Sequence, residues 1–118
     1  MDFADDPNLD VCQNIEYGLA EQYRENPKLT DAMCIFALEQ AKIAVKQHHG
    51  FARNEKVSDA PDAQGIIAWC VQIGEERIGK INDLTLKEYI ASIEKIRASV
   101  ERHARGGGSY FEFISRFM

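Results

Sequence analysis

The side chains with the most reactive chemistry in this sequence are three histidines and three cysteines. His48 and His49 are adjacent, in the stretch KQHHGF. Neighbours on a helix point about 100° apart, whereas two histidines that share a metal from one helix need a spacing of three or four. Both also precede Gly50, where the partial negative charge of a helix C-terminus favours imidazolium and a glycine suits the left-handed cap. His103 repeats the pattern just before Arg105-Gly106. A helix-end role is therefore expected for all three, and no metal site. Glu-x-x-His, the usual di-iron signature of a bundle, does not occur.

Cys12, Cys34 and Cys70 are odd in number and have no C-x-x-C spacing, which argues against a disulfide framework and against a zinc knuckle. Each falls on the apolar face of a helix, where a thiol acts as a small hydrophobe. Phosphate-binding and haem-attachment motifs do not occur either, and GGGS at 106–109 has no lysine after it, so it reads as a hinge. No cofactor is expected. One charged constellation could do acid–base work. Glu16 borders the apolar stripe of the first helix and Arg77 projects from the apolar arc of the third, so the two are expected to pair, near Trp69 and Gly74. That region is the alternative reading, a pocket of a small enzyme or ligand-binding bundle.

Four helices must position these groups. The first runs from Pro7 to Glu25, capped by Asp6 and ended by a left-handed Asn26 before Pro27, with Cys12, Ile15, Leu19 and Tyr23 on its buried stripe. Thr30 caps the second, which ends near His49; Leu29 and Cys34 form its hydrophobic staple. The third spans Pro61 to Ile78 with a broad arc centred on Ile66, Trp69, Cys70 and Ile73. The fourth begins with TLKE at 85–88, a capping box, and presents Tyr89, Ile93, Ile96 and Val100 as a narrow seam until Gly106. Residues 50–59 read as an exposed loop. The pattern predicts an all-α, antiparallel four-helix bundle-like domain, residues 1–118, with a glycine hinge and a short aromatic C-terminal helix at 106–118. The short connections at 26–30 and 79–85 predict that helices 1 and 2, and helices 3 and 4, pack as antiparallel neighbours.

Composition narrows function mainly by exclusion. The net charge is −5, and residues 1–30 carry seven acids against two bases, which speaks against nucleic acid as a partner. The six bases of residues 84–118 are interleaved with four acids, as on a solvated helix face. No apolar run approaches the roughly 18 residues of a membrane span, and the acidic start is unlike a signal peptide, so a cytoplasmic location is expected. The best reading is a noncatalytic helical protein that self-associates or binds a protein partner. Met33, Phe36 and Ile43 form a second apolar stripe on helix 2. Tyr110, Phe113, Ile114 and Phe117 share a face of the tail, which can fold onto its own chain or dock on a second copy. Together these surfaces predict a homodimer.

Overall fold

The computed structural model describes residues 7–81 and 83–115. Among them are five helices and no strand: α1 Pro7–Glu25, α2 Asp31–His48, α3 Pro61–Arg77, α4 Leu86–Arg105 and α5 Tyr110–Ser115. This is the all-α, bundle-like arrangement with a short C-terminal helix that the sequence predicts.

The helix ends follow local chemistry. The Thr30 hydroxyl accepts a hydrogen bond from the Met33 amide at 3.1 Å, and Thr85 and Glu88 complete a reciprocal capping box. Gly50 takes φ +88°, the left-handed cap expected of it. Asn26 departs from expectation, since it is not left-handed. Its side chain instead accepts from the Lys28 amide and donates to Asp62 on α3, which turns the chain and ties two helix ends together. The Asp6 cap lies outside the described residues.

The antiparallel pairs are not those suggested by the short connections. α2 runs antiparallel to α4, with Lys42 paired to Glu94 and Arg97 to Glu39. α1 runs antiparallel to α3, with Asn14 opposite Trp69 and Asn26 opposite Asp62. α2 also packs closely on α3, and α1 on α4. Side-chain size explains the choice. The buried face of α2 is largely small, with Cys34, Ala37 and Ala41 fully enclosed, so two helices can approach it at once.

Glycine has the same effect between α1 and α3. A methyl group at Gly18 would stand 2.1 Å from the Trp69 ring, so only glycine lets the indole lie on α1 and donate to the Asn14 carbonyl at 2.7 Å. The core also takes in Ile15, Leu19, Leu38, Ile66, Ile93 and Val100. Tyr89, fully buried, donates its hydroxyl to the Cys70 carbonyl, which satisfies a polar group that burial would otherwise penalise.

Candidate functional site

The expected Glu16–Arg77 pair is not formed. Among the described residues no ion pair joins them. Glu16 lies under α5, where its carboxylate accepts from the Tyr110 hydroxyl at 3.1 Å. Arg77 is half-buried at the end of α3, and its charge opposes the burial-driven rise in the pKa of Tyr89. The other members of that pocket also diverge. Trp69 faces Gly18 on a different side of α1 from Glu16, and Gly74 packs beside the Tyr89 ring. Spacing along each helix was readable, but the rotation of one helix against the next was not.

What gathers instead is a polar cluster between α1, α2, α4 and α5. Tyr23 donates to Asp31 at 2.6 Å, and the other oxygen of Asp31 accepts from the Tyr110 amide at 3.3 Å. Phe111 stacks on Tyr23 with ring centroids 5.5 Å apart, and Phe113 lies 4.2 Å from the His103 ring. Burial raises the pKa of Glu16, partly offset by the Tyr110 hydrogen bond. It also raises both tyrosines, so each phenol stays a donor. Tyr110 and Ile114 are 0% exposed, so α5 folds onto its own chain and these two side chains are not offered to a second copy. Phe113 is half-buried, and Phe117 lies outside the described residues.

Two of the three thiols are poor nucleophiles. Burial pushes Cys34 and Cys70 up to about 12, which leaves almost no thiolate at neutral pH. Cys12 is half-buried rather than fully enclosed. The histidines occupy helix ends, with His48 2.6 Å from Glu75 and His49 Nδ1 3.0 Å from the Val45 carbonyl. His103 Nδ1 lies 2.8 Å from the Ser99 carbonyl. Among the described residues no group of three histidine, cysteine or carboxylate side chains is placed to hold a metal ion. Among them, too, no helix is long and apolar enough to cross a membrane.

A surface open to another molecule lies at the far end of the α2–α4 pair. Phe51 is 61% exposed and borders a groove of about 400 Å³ with Leu86, Ile90, Lys46 and Lys87. Local structure holds it there. The Phe51 amide donates to the Lys46 carbonyl at 2.8 Å and the Gly50 amide to Gln47 at 3.0 Å, the paired bonds of a Schellman end. The Gln47 side chain then donates to the carbonyls of Ala52 and Glu55. Sequence reading missed this surface. The signal was present in Gly50-Phe51, since an apolar residue commonly follows the left-handed glycine and packs back on the last turn.

The stripe on α2 is only partly open. Phe36 is 38% exposed, while Met33 and Ile43 are half-buried. Residues 50–59 form the largely exposed loop expected of them, held at the α2 end by the bonds just described and at the α3 end by the Ser58 amide, which donates to Gln40 at 2.7 Å, and by Val57, which packs on the core. Comparison of the chain with known protein families, with curated proteins and with solved structures gives no match.

Proposed function

We propose that this chain is a noncatalytic helical module that acts by associating with another polypeptide, either a second copy or a different protein. The observation that carries this reading is the aromatic side chain of Phe51, held out beside Leu86 and Ile90 by a hydrogen-bonded helix end. Exposed aromatic and aliphatic groups on a rigid support are typical anchors of protein interfaces. The pattern of buried thiols and diverging charged residues supports association over catalysis.

The homodimer belongs to the same proposal, with Phe36, Met33 and Ile43 as its surface on α2 now that Tyr110 and Ile114 are enclosed within the chain. A cytoplasmic location goes with it and is supported by the thiol state of all three cysteines. The test combines light scattering over a range of concentrations with recovery of partners from the native host, for the unaltered chain and for Phe51→Asp and Phe36→Asp. Association reduced by one of these changes supports the reading and says which face is used. Association unaltered by both, in proteins that remain folded, overturns it.

A further inference from the structure

The α2–α4 seam changes character along its length. In its middle, Lys42 is paired with Glu39 and Glu94, and Arg97 with Glu39, Glu94 and Glu101. One turn further along α2 the carboxylates stop. Lys46 of α2 and Lys87 of α4 line a groove together with the apolar Phe51, Leu86 and Ile90, and the groove has no acidic residue in its lining. Among the described residues neither lysine has an ion-pair partner. The contrast is marked because the chain as a whole is acidic.

Two further features add positive potential or remove competition. The N-terminus of α4, a helix of 20 residues, carries partial positive charge at the turn that bears Leu86 and Lys87. Glu88, the nearest acid on that turn, is engaged with Thr85 in the capping box.

Resting on the association reading above, we propose that this groove docks an acidic amphipathic segment of another protein. Its apolar side chains cover Phe51, Leu86 and Ile90, and its carboxylates meet Lys46 and Lys87. A helix laid in a groove with apolar residues three or four apart has this form. The lysines then set specificity and orientation, while the apolar floor supplies most of the affinity. A second copy fits less well, because the groove's own rim would bring lysine against lysine in a symmetric contact.

The test uses the full chain and two synthetic amphipathic helical peptides with the same leucine face, one flanked by glutamates and the other by lysines. Binding is followed by amide chemical shifts and by titration at low and moderate salt. The glutamate peptide is expected to bind about ten-fold tighter than the lysine peptide, with the largest shifts around Phe51, Leu86 and Ile90. The double change Lys46→Glu and Lys87→Glu should invert that preference. Phe51→Ser should weaken both peptides by about ten-fold or more, and circular dichroism of each variant checks that the fold is kept. Equal binding of the two peptides, shifts centred elsewhere, dimerisation lost in Phe51→Ser, or binding only to vesicles of anionic lipid would each overturn the proposal. Phe51-dependent association without charge preference would defeat this inference and leave the association reading standing; association independent of both Phe51 and Phe36 would defeat both.

Discussion

The two ends of the α2–α4 pair treat aromatic residues in opposite ways. At the end where α2 begins, Tyr110 and Tyr23 are buried and give their hydroxyls to Glu16 and Asp31, while Phe111 and Phe113 stack on Tyr23 and His103. At the end where α2 stops, Phe51 projects from a fixed turn and is 61% exposed. A tyrosine can be sealed in because its polar tip finds an acceptor, and a segment sealed this way becomes part of the fold. A phenylalanine held rigidly in the open contributes little to the fold, and its value lies in what it can touch. The aromatic-rich α5 is thus structural, and on the reading proposed above the single aromatic of a connecting loop is the one left for contact.

This contrast predicts where truncation is costly. Tyr110→Ala removes the largest side chain of α5 from a fully enclosed site and leaves Glu16 without its donor. Removal of a buried large aromatic costs about 3–5 kcal/mol, so the denaturant midpoint should fall steeply. A change under about 1 kcal/mol would mean that α5 is not sealed to the bundle, and the distinction between the two ends would fail.

A smaller loss is expected at the other tyrosine of the cluster. Tyr23→Phe keeps the ring under Phe111 and deletes only the hydroxyl that donates to Asp31. Loss of a hydrogen bond to a charged group costs about 1.5–3 kcal/mol. Asp31 also accepts from the Tyr110 amide, so the same change should speed hydrogen exchange at that amide. Unaltered exchange there would show that Asp31 holds α5 without help from Tyr23.

The cluster should also have a pH signature. Glu16 has a folded-state pKa raised above its ordinary value of 4.5, with burial as the main cause and the Tyr110 bond opposing it. The folded state therefore holds the proton more tightly than the unfolded state. The resulting stabilisation is fully present below about pH 4.5 and is lost as pH rises through the raised folded value. Glu16→Gln keeps an oxygen for the Tyr110 hydroxyl but cannot ionise. Measured by urea unfolding, the variant should gain on the unaltered protein across that window and run parallel to it above. A pH-independent difference would remove Glu16 from the cluster's electrostatics.

The sequence disclosed the parts of this architecture that depend on neighbours along the chain. TLKE closed its capping box, Thr30 capped α2, and Gly50 took the left-handed cap, because each needs only residues within one helical turn. Helix partners depend on the size of side chains that meet across space. Nothing along the chain marks Gly18 as the seat of Trp69, which shows only once α1 and α3 lie together. Glu16 lies at the edge of an apolar stripe, which a helix pattern can show, but its partner comes from a tyrosine far along the chain, which it cannot. Phe51 was passed over because it lies in a connection, where an apolar residue has no periodic neighbours to mark it.

The smallest effect is expected at Phe51 itself, and its smallness sharpens the comparison. Phe51 is largely solvated, its amide bond to Lys46 is made by the backbone, and the loop beyond it is held by Gln47, so none of these supports requires the ring. Phe51→Ser should thus leave the unfolding free energy within about 0.5 kcal/mol of the original, the usual range for a surface change. The ring's one intramolecular gain is contact with neighbouring apolar groups and the lysine stems, and serine exposes those groups without leaving a closed cavity. Thermal unfolding of Phe51→Ser beside Tyr110→Ala gives the decisive ratio. A loss at Phe51 approaching that at Tyr110 would show that the ring is a structural brace, and the open end would have to be regarded as a second sealed one. A near-zero loss, combined with weakened peptide binding, assigns the ring to recognition.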